Sequence, residues 1–81
     1  MKFSARVIVL LKEGVGDPQG QTIEKALPAL GFDGVHDVRV GKLIELTVEA
    51  AAPEQARARV EEMCEKLLAN PVIESYEVTI S

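Results

Sequence analysis

Apolar and polar residues alternate near the start of the chain, which predicts a β-strand over residues 3–11. One face of this strand carries five apolar side chains: Phe3, Ala5, Val7, Val9 and Leu11. The other face begins polar but becomes apolar at Ile8 and Leu10, whereas a face in contact with water normally stays polar. We therefore expect this second face to be partly covered, and we predict that Ile8 and Leu10 mediate self-association.

Several signals predict a helix that begins at Asp17 and ends at Gly31. The Asp17 side chain can accept hydrogen bonds from the free N–H groups of the first turn, and Pro18 suits the first helical position. Apolar residues then recur at helical spacing in one stripe: Ile23, Ala26, Leu27 and Leu30. Pro28 removes a backbone donor inside this stripe, so we expect a kink or an early end of the regular helix near Leu27. Gly31 is expected to stop the chain in the left-handed conformation.

Two strands, residues 35–40 and 43–49, are predicted next, with a hairpin turn at Gly41-Lys42 between them. A second helix is predicted from Pro53 to about Ala69, with a buried stripe formed by Ala56, Val60, Met63 and Leu67. This helix should end before Pro71, because a residue that precedes proline is pushed out of the helical region. Residues 73–80 predict the last strand.

These elements follow one another in the order β-α-β-β-α-β. Two crossover units joined by a hairpin are typical of an α+β fold of the ferredoxin-like type, a four-stranded antiparallel sheet with both helices on one face. We expect residues 1–81 to form this single domain, because a chain of 81 residues supports one thin core and no second one. The uncovered face of the sheet would then be the natural place for contact between subunits.

Charge and cysteine content argue against several classes of protein. A protein that binds nucleic acid carries a basic face, and the net charge of −4 does not indicate one, so we predict no nucleic-acid partner. The apolar run at the start is interrupted by Ser4 and Arg6 and is too short to cross a membrane, so we predict no membrane association. The single cysteine, Cys64, cannot form a disulfide within the chain, which suits a cytoplasmic protein.

Few residues could support catalysis. Cys64 borders the apolar stripe of the second helix, and a buried, unreactive thiol explains it better than a nucleophile. His36 is the only histidine, and no metal-binding motif is present. The glycine-containing loop, residues 14–20, fits a turn and helix cap better than an anion site, because Pro18 removes a donor and Asp17 would repel a phosphate. We therefore predict no catalytic residue, metal site or cofactor in this chain.

Four segments, taken in order, resemble the PurS family. They are residues 11–20 (LKEGVGDPQG), residues 30–32 (LGF), residues 38–42 (VRVGK) and residues 63–74 (MCEKLLANPVIE). No single segment is decisive, but the ordered set extends over residues 6–76 without a large gap. The resemblance therefore covers nearly the whole chain.

PurS is the small subunit of phosphoribosylformylglycinamidine synthase, a glutamine amidotransferase of purine biosynthesis. The resemblance implies a ferredoxin-related, non-catalytic subunit that forms a homodimer or a dimer of dimers. Its other partners would be a glutaminase subunit and a large synthetase subunit, whose activities it would couple. The synthetase would use ATP and magnesium to convert formylglycinamide ribonucleotide to formylglycinamidine ribonucleotide. This chain would bind neither ATP nor magnesium.

We predict that one end of the domain faces these partners. Seven residues mark it: Asp17, Pro18, Gln19, Gly20, Arg39, Gly41 and Lys42. The guanidinium of Arg39 is a good partner for a carboxylate or phosphate. A solvated hairpin end explains the two cations, Arg39 and Lys42, equally well at this point.

Two functions of other classes remain open. A small-molecule-sensing regulatory module of the ACT type shares the element order and predicts specific binding of an amino acid. A free-standing enzyme of ferredoxin-like fold predicts a titrating His36 or a reactive Cys64.

Overall fold

The structure is a computed structural model that describes residues 1–81. It contains three strands and two α-helices: β1 (Lys2–Leu11), α1 (Pro18–Ala26), β2 (Gly41–Glu49), α2 (Pro53–Met63) and β3 (Glu74–Ile80). A 3₁₀ turn, Leu27–Leu30, follows α1, and a π-helical turn, Cys64–Leu68, follows α2. The predicted α+β class and both predicted helices are thus confirmed.

The sheet has the order β2-β1-β3, and β1 is antiparallel to both neighbours. The strand predicted over residues 35–40 is absent, and Gly41-Lys42 lies within β2 rather than in a turn. The physical reason is that the N–H groups of Val38 and Val40 donate to the carboxylates of Glu24 and Asp17 instead of to a neighbouring strand. Asp37 also adopts a left-handed φ of 59°, which interrupts an extended conformation. The prediction of a four-stranded, ferredoxin-like sheet is therefore wrong. The ACT-like alternative loses its support as well, because it depended on the same β-α-β-β-α-β order.

The core lies between one face of the sheet and α2. It contains three of the five β1 residues predicted to share a face, together with one residue from each outer strand and two from α2: Ala5, Val7, Val9, Val48, Val78, Ala56 and Val60. Cys64 and Ala69 complete the core, but Leu67, predicted to be buried, is 83% exposed. The π-helical turn explains this error, because the Ala69 N–H bonds to the Cys64 carbonyl five residues earlier and shifts the buried stripe by one position.

The ends of α1 follow the sequence signals. Asp17 caps the helix, Pro18 occupies the first turn, and regular helix stops at Ala26, just before the Pro28 turn. The turn closes at Gly31, whose φ is 94°. Two hydrogen bonds of 3.1 Å, from the N–H of Gly31 to Pro28 and from the N–H of Phe32 to Leu27, form a Schellman motif.

The prediction that both helices cover one face of the sheet is wrong. α2 packs on all three strands, whereas α1 packs on its own 3₁₀ turn, and Gly20 is its one buried residue. The segment between α1 and β2 is tied to the α1 region at Val38 and Val40 instead of joining the sheet, and α1 makes no extensive contact with any strand. The molecule measures 51 × 25 × 14 Å, and its radius of gyration of 16.2 Å exceeds the ~12 Å of a compact domain of this size. Neither helix has both the length and the apolar character that crossing a bilayer requires.

Candidate interaction surfaces

Residues predicted to face partners come together at one end of the sheet. Five of them border one groove of about 360 Å³: Asp17, Pro18, Gln19, Gly41 and Lys42. Gly20 adjoins this groove through its hydrogen bond to Asp17, and Arg39 lies on the neighbouring side, where its guanidinium donates to the Leu11 carbonyl. We call these seven residues the turn-end surface. The fold thus brings together two segments that are about 20 residues apart in the sequence.

Asp17 is the centre of this surface. Its Oδ1 accepts a hydrogen bond of 3.0 Å from the Gly20 N–H, and its Oδ2 accepts one of 2.8 Å from the Val40 N–H. These two hydrogen bonds, helped by the nearby positive charge of Arg39, lower the pKa of the Asp17 carboxyl below 3.8. Because both oxygens are engaged within the chain, Asp17 organises the surface more than it offers a free carboxylate.

Two glycines allow the backbone segments of this end to approach one another. A Cβ atom at Gly20 would lie 2.3 Å from the Val38 carbonyl oxygen and 2.7 Å from Oδ2 of Asp17. A Cβ atom at Gly41 would lie 2.3 Å from the Val9 carbonyl oxygen. Any side chain at these positions would force the segments apart, so both glycines are required by close packing rather than by a turn.

Glu24 belongs to the same end of the molecule, although the sequence analysis did not single it out. Its Oε1 accepts a hydrogen bond of 3.0 Å from the Val38 N–H, 14 residues away. The available signal was its spacing of seven residues from Asp17, which places both carboxylates on one side of α1. That signal could not be recognised without knowing that residues 38–40 run alongside the helix.

The face of the sheet opposite α2 carries an exposed apolar patch at the same end. Ile8 is 42% exposed and lies directly opposite Leu43, which is 53% exposed. Leu10 is half-buried next to them, so the placement of Ile8 and Leu10 on an uncovered face agrees with the predicted strand faces. Leu43 extends this surface, which we call the sheet patch (Ile8, Leu10 and Leu43).

A second apolar surface lies on α1 and its 3₁₀ turn, which together form an arm (residues 18–30). Ile23 is 43% exposed and Leu30 is 71% exposed, although both belong to the predicted apolar stripe. A separate apolar strip follows the flank of α2, where Met63, Leu67 and Leu68 border a groove of about 390 Å³. The chain therefore has an unpaired helix surface and, elsewhere, an unfilled groove beside its other helix.

The residues examined for catalysis do not form a site. Cys64 is fully buried, and desolvation together with Glu61 and Glu65 raises the pKa of its thiol. His36 is exposed in the irregular segment before β2. No three histidine, cysteine, aspartate or glutamate side chains come together as metal ligands. The buried position of Cys64 and the two carboxylates near it favour an unreactive thiol.

Residues 4–81, almost the whole chain, match the family described as PurS: Phosphoribosylformylglycinamidine (FGAM) synthase. The chain belongs to the PurS family. PurS of Methanocaldococcus jannaschii is 47% identical over 78 residues, which cover 96% of this chain and 94% of that protein. PurS of Bacillus subtilis is 46% identical over 78 residues, which cover 96% and 92%.

Solved PurS structures share the fold. The PurS subunit of Thermotoga maritima superposes with a TM-score of 0.90 at 41% identity, covering 100% of this chain and 93% of that chain. A chain in the structure of PurLQS from Thermotoga maritima also gives a TM-score of 0.90 at 41% identity, covering 100% and 99%.

Proposed function

We propose that this chain is the non-catalytic assembly and coupling subunit of phosphoribosylformylglycinamidine synthase in de novo purine biosynthesis. The similarity to a chain of the PurLQS structure over its full length is the observation that carries this proposal. In the proposed complex, the chain links a glutaminase subunit, which releases ammonia from glutamine, to a synthetase subunit. The synthetase binds ATP and magnesium, and we place the complex in the cytoplasm, where the unpaired Cys64 would stay reduced.

The chemistry of the chain supports an assembly role. The buried Cys64 thiol has a raised pKa, and the exposed His36 has no nucleophile beside it in the sequence. Catalysis in the complex would therefore be performed by the larger subunits, and the contribution of this chain would come from its surfaces. The turn-end surface is the proposed contact with those subunits, because the side chains of Pro18, Gln19 and Lys42 line an open groove there.

Self-association is the second part of the proposal. Helices of a two-layer α+β fold normally lie side by side over the sheet, but α1 leaves that position empty next to α2. We infer that the arm of a second copy fills it, so that Ile23 and Leu30 of each arm reach the Met63–Leu67 flank of the other chain. Such an exchange is reciprocal, as a two-fold interface requires. The sheet patch on the opposite face is too small to hold two single chains together, but two such patches acting side by side would join two dimers into a tetramer.

Reconstitution tests the coupling role. Purified glutaminase and synthetase subunits are mixed with formylglycinamide ribonucleotide, ATP and magnesium, with and without this chain, and are supplied with either glutamine or free ammonia. We expect glutamine-dependent synthesis to require the chain, whereas ammonia-dependent synthesis largely does not. A chain that neither changes the glutamine-dependent rate nor joins the complex would contradict the proposal.

A matched variant separates coupling from self-association. Leu30→Asp places a charge at the exposed tip of the arm, where the chain's own core is not involved. We expect this variant to fold but to remain monomeric in sedimentation equilibrium. If it is monomeric and still supports glutamine-dependent synthesis, self-association is dispensable for coupling, and the two parts of the proposal must be separated.

A further inference from the structure

The arm has a defined direction even though it scarcely packs on the sheet. Gly20 is the single buried residue of α1, so hydrophobic burial against the chain's own core contributes little to its position. A nine-residue helix followed by a four-residue turn would otherwise be free to swivel about the loop that joins it to β1. Something other than the core must fix the direction of the arm.

Three contacts along one side of α1 hold it to residues 38–40. Asp17 accepts from the Val40 N–H at 2.8 Å, and Glu24 accepts from the Val38 N–H at 3.0 Å. Between them, the missing side chain of Gly20 lets the Val38 carbonyl lie against the helix. We call this set the clamp (Asp17 at the N-cap of α1, Gly20 and Glu24 on α1, and Val38 and Val40 on the following segment).

The spacing of the clamp residues matches the geometry of both partners. Positions 17, 20 and 24 differ by three and four residues, so they fall on one side of an α-helix. Positions 38 and 40 differ by two residues, so in an extended segment their N–H groups point to the same side. The carboxylate acceptors of Asp17 and Glu24 therefore lie on the side of the helix that faces the N–H donors of Val38 and Val40.

Two points of attachment determine an axis, whereas one point allows rotation about it. Asp17 and Glu24 are separated by about 10 Å along the helix, at 1.5 Å per residue. An Asp17 cap without the Glu24 bond would hold only the first turn of α1. Glu24 is therefore the residue that converts a capped helix into an oriented one.

We propose that the clamp sets the direction of the arm and thereby the geometry in which two chains associate, with Glu24 as its positioning residue. The part about association rests on the proposed self-association, whereas the part about arm direction does not. Nothing in this role requires Glu24 to touch the partner. It acts by reducing the freedom that the arm loses when it docks.

The direction of the arm is tested in a monomeric background by residual dipolar couplings of the backbone N–H groups. In Leu30→Asp, we expect one alignment tensor to fit both the sheet and α1. Adding Glu24→Ala should scale down the couplings of α1 alone and should accelerate exchange of the Val38 amide by about five- to tenfold, as expected for one lost hydrogen bond. Adding Glu24→Gln, which keeps an acceptor oxygen, should leave both readouts unchanged.

The effect on association is measured by sedimentation equilibrium without the Leu30→Asp substitution. Glu24→Ala should raise the dissociation constant of the dimer by about five- to tenfold. Glu24→Gln should leave it at the wild-type value. Lys25→Ala, a neighbouring substitution outside the clamp, is the control for a general effect on α1.

The outcomes separate the two ideas. Unchanged α1 couplings in Glu24→Ala would overturn the clamp, whatever the oligomeric state. A wild-type chain that is monomeric would overturn the self-association proposal and the clamp's role in it, while the couplings still decide whether the clamp directs the arm. A loosened arm with undiminished dimer affinity would overturn the link between arm direction and association.

Discussion

The N–H of Val40 donates a hydrogen bond of 2.8 Å to Oδ2 of Asp17, a residue 23 positions earlier in the chain. The other oxygen of the same carboxylate caps α1 through the Gly20 N–H. One side chain therefore begins the first helix and also holds the segment that leads into β2. This double role explains why residues 38–40 lie along the helix and not in the sheet.

Acid should weaken this connection. Hydrogen bonds from Gly20 and Val40 and the charge of Arg39 lower the Asp17 pKa below 3.8, so the ionised form is favoured in the folded state. The resulting contribution to stability is present above about pH 4 and is lost as the pH falls through the lower, folded-state pKa. We expect the Val40 amide of the wild type to lose protection once Asp17 is protonated, that is, to exchange faster relative to the intrinsic rate of an unprotected amide at the same pH. Asp17→Asn, measured alongside, should lack this pH dependence.

Gly20→Ala should destabilise the chain, because its Cβ would lie 2.3 Å from the Val38 carbonyl oxygen. Relieving this clash would cost about 1–3 kcal/mol, as for other overpacked sites. The measurement is urea unfolding. Gly16→Ala is the matched control, because no atom lies within 4 Å of its added Cβ and we expect a change close to zero. Equal effects of the two substitutions would contradict the close approach.

Val7 and Ile8 are adjacent in β1 but serve different faces of the sheet. Val7 is fully buried, so Val7→Ala should lower the free energy of unfolding by ~1–3 kcal/mol. Ile8 is 42% exposed, so Ile8→Ala should leave monomer stability nearly unchanged and weaken association through the sheet patch. Urea unfolding and sedimentation equilibrium measure the two effects. If Ile8→Ala leaves a tetramer intact, the sheet patch is not its interface.

Arg39→Glu should weaken the complex with the larger subunits without unfolding the chain. Its guanidinium donates to the Leu11 carbonyl at the turn-end surface, and the reversed charge removes this donor from a proposed contact. Co-sedimentation with the glutaminase and synthetase subunits measures the complex, and circular dichroism checks the fold. Lys2→Glu makes the same change of charge near the opposite end of β1 and should bind normally. Equal binding by both variants would remove Arg39 from the contact.

Tyr76 provides a spectroscopic probe, because it is the only tyrosine. Interaction with the nearby Glu65 carboxylate, together with desolvation, raises the pKa of Tyr76 to about 12. The raised value means that this interaction stabilises the fold below about pH 10 and is lost as the pH rises through the folded-state pKa. Absorbance at alkaline pH should show one late titration in the wild type. Glu65→Gln should shift it to lower pH, and an unshifted curve would contradict the contact.

Local features of this fold were readable from the sequence because they depend on residues a few positions apart. The Asp17 cap, the early end of α1 before Pro28 and the left-handed stop at Gly31 each need only their immediate neighbours. The alternation in β1 likewise identified both of its faces, including the exposed position of Ile8. The ordered segments also identified the family, although not the geometry of its surfaces.

The tertiary structure alone decided where residues 35–40 go and how the arm is directed. Their sequence, VHDVRV, suits a strand, but its amides can be satisfied either by a neighbouring strand or by carboxylates on α1. The Val40 amide bonds to Asp17, 23 residues away, and the Val38 amide bonds to Glu24, 14 residues away. The sheet therefore has three strands. The π-helical turn that exposes Leu67 is similarly invisible to a 3.6-residue pattern, because one additional residue in a turn shifts every position after it. Periodicity reports which residues could share a face, whereas the choice among hydrogen-bonding partners depends on contacts between distant parts of the chain.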